Sequence, residues 1–175
     1  MVTKIYRVLV DHRIRTDMLP PLWFVEGLAE YYSTEVDAQA EMVMRDAIIN
    51  NYFVGLEDMY MIYGSFLMYK EGQSFLDFVE AKYGKEKVML MIENFWMFTS
   101  FEKLIEHTLG KTIEDLDLEW LYFLKQKYYP LFSDRVPVEY SAKKITQDGF
   151  NFSPVYFNRE GKEHIYFPAN RDGYS

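Results

Sequence analysis

The sequence predicts a mainly α fold, a multi-helix array followed by a short C-terminal β segment. Apolar residues recur at helical spacing through residues 1–131. Residues that favour helix starts and helix ends divide the same region into segments with short connections. From residue 148 onward, apolar and polar residues alternate around turn residues, which is typical of strands.

The composition indicates a packed globular protein and limits the classes of partner. Of 175 residues, 49% are hydrophobic and 18% aromatic, which argues against disorder. A net charge of −8 disfavours a nucleic-acid partner, since such a partner needs a basic face. The absence of cysteine excludes disulfides and thiolate metal sites. No apolar run approaches the roughly 20 residues of a membrane-spanning helix, and no signal-peptide pattern opens the chain.

The first predicted elements run from residue 3 to residue 50. Residues 3–15 suit a helix with one broad apolar side, and a strand through residues 5–10 is the alternative. Pro20 and Pro21 then favour the start of a helix that ends near Ser33. Its core-facing residues should be Trp23, Val25, Leu28 and Tyr32. A helix from Thr34 to about residue 50 follows, with an apolar face of Ala40, Val43, Met44, Ala47 and Ile48.

The remaining helices are predicted from apolar spacing and from capping residues. A helix over residues 57–70 is apolar nearly all round, so it should lie at the centre of the array. Four more helices should follow, each with a start and a stop signal. They are a helix capped by Ser74 with Asp77 that ends at Gly84, one from Lys85 to about Trp96, one capped by Thr99 with Glu102 that ends at Gly110, and one capped by Thr112 with Asp115 that Pro130 stops.

Glu26 and Glu30 lie four residues apart on the helix that is predicted to start at Pro20 and Pro21 and to end near Ser33. Such a pair places two like charges on one helical face. The simple interpretation is that both face solvent, where their repulsion costs only a few tenths of a kcal/mol, roughly.

A second interpretation of Glu26 comes from the residues around it. The segment Trp23-Phe24-Val25-Glu26-Gly27-Leu28-Ala29-Glu30-Tyr31 resembles the W-x-x-E-G-[LF]-A-x-[YF] segment of peptidase-MA-like gluzincin zinc metallopeptidases. The resemblance implies that Glu26 is the third zinc ligand, the other two being histidines of an upstream H-E-x-x-H helix whose glutamate is the general base. This chain has no H-E-x-x-H. Its histidines, His12, His107 and His164, include no pair four residues apart.

The resemblance extends over roughly residues 18–131, because four later segments follow in the family's order: Tyr60–Tyr69, Phe78–Gly84, Phe101–Gly110 and Leu116–Leu124. Members of the family place a tyrosine from this helical half over the zinc, where its hydroxyl stabilises the developing oxyanion. The resemblance implies Tyr60 in that catalytic role, with Tyr63 as second choice. The alternative is that Tyr60 is a core tyrosine whose hydroxyl is satisfied.

The C-terminal part reads as a linker, residues 132–147, followed by strands in residues 148–175. Ser153–Lys162 and Ala169–Gly173 resemble the first blade of a TolB-type β-propeller. One incomplete blade cannot bury its faces, since a propeller closes several blades around a channel.

Together these resemblances imply a fragment of a larger zinc metallopeptidase fused to a propeller. The parent protein should bind zinc, act on a peptide or protein substrate and be periplasmic or extracellular. We expect this chain alone to hold no zinc tightly and to be inactive. The alternative is a metal-free helical scaffold that presents a propeller to a protein partner.

Overall fold

A computed structural model describes residues 20–33, 37–133, 135–136, 138–146 and 150–170. The element predicted over residues 3–15, together with His12, lies outside these ranges. The chain divides into two compact units, with the boundary between residues 133 and 134.

In the described part of the first unit, every regular element is a helix. Two short 3-10 helices, Leu56–Ile62 and Phe95–Met97, lie between the α-helices. The α-helices are α1 (Leu22–Ser33), α2 (Ala38–Ile49), α3 (Phe66–Tyr83), α4 (Lys85–Asn94), α5 (Phe101–Leu109), α6 (Ile113–Tyr128) and the single turn α7 (Pro130–Ser133). The predicted mainly α class is confirmed.

The second unit contains a helical turn and two pairs of strands. The elements are α8 (Val138–Ser141), β1 (Phe150–Asn151), β2 (Val155–Arg159), β3 (Lys162–Tyr166) and β4 (Ala169–Asn170). Strands β2 and β3 form an antiparallel hairpin in which Val155 lies opposite Tyr166, and β1 pairs with β4. Every residue of β2 and β3 is exposed. The short C-terminal β segment is therefore confirmed.

Side-chain caps start four of the α-helices. Asp37 accepts a hydrogen bond from the Ala40 N–H at 2.8 Å and begins α2. Thr112 accepts one from the Asp115 N–H at 3.2 Å and begins α6, as predicted. The cap of α5 is Ser100 rather than the predicted Thr99.

The prediction for residues 57–84 is wrong in its boundaries. The helix expected over residues 57–70 is a 3-10 helix that ends at Ile62, and α3 then runs without interruption from Phe66 to Tyr83. The break comes at Gly64, whose φ of 71° leaves the helical region, after which Ser65 caps α3. Ser74 lies inside α3 and caps nothing.

Gly72 lies between the helix predicted over residues 57–70 and the helix predicted to start at Ser74, but in the structure it brings two other helices together. A Cβ atom on Gly72 would lie 2.5 Å from the Trp23 carbonyl oxygen, and one on Gly27 would lie 2.5 Å from the Gly72 carbonyl carbon. Only hydrogen fits at either position. Helices α1 and α3 therefore pack with their backbones in contact at these two glycines.

An aromatic core surrounds this crossing. The Trp23 ring meets Phe24, Phe75 and Phe101 edge-on, with ring centroids 5.1–5.8 Å apart. The face predicted for α2 is buried at Ala40, Met44, Ala47 and Ile48 and partly buried at Val43. The prediction for Tyr32 is wrong, because its side chain is 41% exposed at the end of α1.

Candidate functional site

Glu26 lies in the middle of α1, beside the glycine that contacts α3. Its side chain is partly buried. Among the residues that the structure describes, Glu26 forms no hydrogen bond and no ion pair. The packing of Gly27 and Trp23 against α3 fixes the helix that carries Glu26. The Glu26 carboxylate is therefore attached to a fixed backbone, although no protein group in the described structure pairs with it.

Glu30, one turn further along α1, is already engaged. Its Oε2 atom lies 2.8 Å from the Lys70 Nζ atom, and the Lys70 side chain is only 8% exposed. The same ammonium group lies 5.3 Å from the centre of the Phe66 ring. Glu30 is thus not the solvent-facing carboxylate of the simple interpretation, since it neutralises a buried cation.

Tyr60 and Tyr63 lie where the 3-10 helix ends and the chain turns toward α3. Their side chains are 70% and 66% exposed. The interpretation of Tyr60 as a core tyrosine is wrong, because the 3-10 helix carries it on the outer side. Within the described structure, no hydrogen bond joins Tyr60 to Glu26.

The described histidines are surface residues. His107 lies in the last turn of α5 with its ring centre 4.9 Å from that of Phe98, and His164 lies on the exposed strand β3. In the described ranges, no three His, Asp or Glu side chains come close enough together to hold a metal ion.

Two carboxyl groups that sequence reasoning did not single out, one fully buried and one partly buried, hold the loop before the 3-10 helix. Glu71 is fully buried in α3, and its Oε1 atom accepts a hydrogen bond from the Val54 N–H at 3.1 Å. Both carboxylate oxygens of Asp117 accept from the Leu56 N–H, at 2.9 and 3.0 Å. These contacts satisfy backbone donors that secondary structure leaves unpaired.

Burial controls the protonation of both groups. It raises the pKa of Glu71 to about 8, against the lowering effect of the Val54 N–H. It also raises the pKa of Asp117 to about 6. Glu71 is therefore mainly neutral at pH 7, and Asp117 is mainly charged. A helix continuous through Gly72 would have placed Glu71 on the buried face with Met68 and Phe75, and that register was the missed signal.

No helix in the described ranges combines the length and the apolar character needed to span a membrane. No family model matches the chain, and neither the curated proteins nor the solved structures contain a significant match.

Proposed function

We propose that this chain is the part of a peptidase-MA-like gluzincin zinc metallopeptidase that follows the H-E-x-x-H helix, with Glu26 as the third zinc ligand. The supporting observation is the contrast between two glutamates on one helix. Glu30 is committed to Lys70, whereas Glu26 has no protein partner in the described structure. A carboxylate that binds a metal must be free of other partners, and the resemblance of the segment Trp23–Tyr31 implies that role for Glu26.

The described residues can supply one of the protein ligands of a catalytic zinc site. Tetrahedral zinc sites in hydrolases use three protein ligands, and this chain offers Glu26 without a histidine pair. Zinc, when bound, supplies an activated water for attack on a peptide carbonyl. Glu26 would hold the ion, and its position on a helix packed through Gly27 would keep its carboxylate fixed.

Tyr60 is the proposed oxyanion donor. Its exposed side chain leaves the hydroxyl available to a substrate, and a tyrosine O–H can stabilise the negative oxygen of a tetrahedral intermediate. The substrate would be a peptide or protein. The setting would be periplasmic or extracellular, as is usual for proteins that join a gluzincin peptidase domain to a TolB-type propeller.

The β-hairpin supports a second function, a metal-free scaffold that presents a propeller to a protein partner. Apolar side chains on both strands of the hairpin are 44–62% exposed. They are Val155, Tyr156, Phe157, Ile165 and Tyr166. Exposed apolar strands of this kind are completed by further strands or by a partner.

The coding sequence upstream of this chain separates the two functions. An in-frame H-E-x-x-H favours the peptidase, and an intact start site without that motif favours the scaffold. For the peptidase, a protein that includes the upstream helix should cleave peptides in a zinc-dependent way. Tyr60→Phe should lower kcat by roughly a hundredfold while zinc content stays unchanged. Unchanged kcat would remove Tyr60 from the mechanism.

A further inference from the structure

Helices α2, α3 and α6 surround a cavity of about 300 Å³. This volume is at the lower end of the range for small-molecule pockets. Met44, Ala81, Phe123 and Leu124 give the cavity an apolar wall, and Asp77 of α3 contributes a carboxylate. The cavity therefore combines apolar surface with an ionisable group.

The two lysines that line the cavity are already neutralised. Lys70 forms its ion pair with Glu30, and Lys127 of α6 forms one with Glu41 of α2. Asp77 forms neither a hydrogen bond nor an ion pair within the described part of the chain. The uncompensated charge in the cavity is thus negative.

Asp77 is ionised at neutral pH despite its surroundings. The pKa of its carboxyl group is raised to about 6, mainly by burial and also by Glu80 and Glu41, whereas Lys127 acts to lower it. A partly buried carboxylate without a hydrogen-bonding partner is unfavourable, and an incoming cation relieves that cost.

We propose that this cavity binds a small organic primary ammonium ion, with the ammonium group on Asp77 and the apolar part of the ligand against Met44, Phe123 and Leu124. An anion would have to displace Glu30 or Glu41 from a lysine. Ser74 lies one helical turn before Asp77 and lines the same cavity, so its hydroxyl can accept a second N–H of the ammonium group. The site does not involve Glu26 and is independent of zinc.

The test uses the 175-residue chain with ¹³C-labelled methionine methyl groups. We titrate it at neutral pH with 2-phenylethylammonium and, separately, with the uncharged 2-phenylethanol of similar shape. The ammonium ion should shift the Met44 methyl signal with a dissociation constant on the order of 1 mM, and the alcohol should bind at least about tenfold more weakly. Met91, buried on α4 and not in the cavity wall, serves as the control signal.

Two variants with opposite expected effects complete the test. Asp77→Asn should weaken ammonium binding about tenfold or more, because it removes the pairing charge. Lys127→Gln should strengthen it a few-fold, because it removes a competing cation near Asp77. An unshifted Met44 signal, or equal affinity for the ammonium ion and the alcohol, would overturn the proposal. If Asp77→Asn does not fold, Lys127→Gln decides alone, and an unchanged or weakened affinity in that variant rejects the site.

Discussion

Gly27 and Gly72 lie backbone to backbone where α1 crosses α3, so each glycine occupies the space that a side chain on the other would need. This crossing holds the helix that carries Glu26 and Glu30 against the helix that carries Lys70, Glu71 and Asp77.

The first prediction concerns that crossing. Gly27→Ala should lower the free energy of unfolding by about 3 kcal/mol, since its Cβ would meet backbone atoms that cannot move aside. Gly64→Ala is the control, because open space surrounds Gly64 and only its φ of 71° opposes a side chain. The control should cost about 1 kcal/mol. Urea denaturation measures both, and equal losses would contradict the close contact.

The second prediction separates the two glutamates of α1. Glu30→Gln should destabilise the chain by about 2 kcal/mol, because Lys70 would stay buried without its counter-charge and Glu30 itself is a quarter exposed. Glu26→Gln should leave stability unchanged or raise it by up to about 1 kcal/mol, as expected for a carboxylate without a protein partner. The two variants make the same chemical change one turn apart. A loss of about 2 kcal/mol for Glu26→Gln would indicate a structural role.

The third prediction concerns pH and Glu71. Its pKa is raised from 4.5 to about 8 in the folded state, so its protonated form contributes stability that is lost as pH rises through 8. Between about pH 6.5 and 8, the free energy of unfolding should fall by up to about 1.4 kcal/mol per pH unit. Asp77 and Asp117 titrate below this window, at about 6.

Glu71→Gln checks the third prediction, because glutamine stays neutral and can still accept from the Val54 N–H. Its stability should exceed that of the unmodified chain most at the alkaline end of the window. Glu93→Gln, an exposed change on α4, should leave the pH slope intact. A slope that survives Glu71→Gln would assign the effect to another group.

Local signals in the sequence predicted most helix ends but not the central helix. Thr112 caps the start of α6 and Gly110 the end of α5 through local backbone contacts. The sequence around each residue therefore suffices to predict where these helices begin and end. Gly72 lies where the predicted helices were divided, but a glycine inside a helix costs only about 1 kcal/mol relative to alanine and here permits the contact with Gly27. The reason for that glycine lies on another helix.

The difference between the two glutamates of the candidate site also depends on contacts between helices, which the sequence pattern does not show. The sequence places Glu26 and Glu30 on one helical face but does not distinguish them. The distinction depends on Lys70, which lies forty residues beyond Glu30 and reaches it only after α1 and α3 pack. The protonation of Glu71 likewise depends on burial that the packed core creates.

The most direct measurement is the zinc affinity of a protein that joins this chain to the H-E-x-x-H helix, compared with its Glu26→Gln and Glu30→Gln variants. We expect the unmodified protein to retain stoichiometric zinc after dialysis against a mild chelator, Glu26→Gln to lose most of it, and Glu30→Gln to retain it. This chain alone should hold little zinc in any variant. Full zinc retention by Glu26→Gln would contradict the assignment of Glu26 as a ligand.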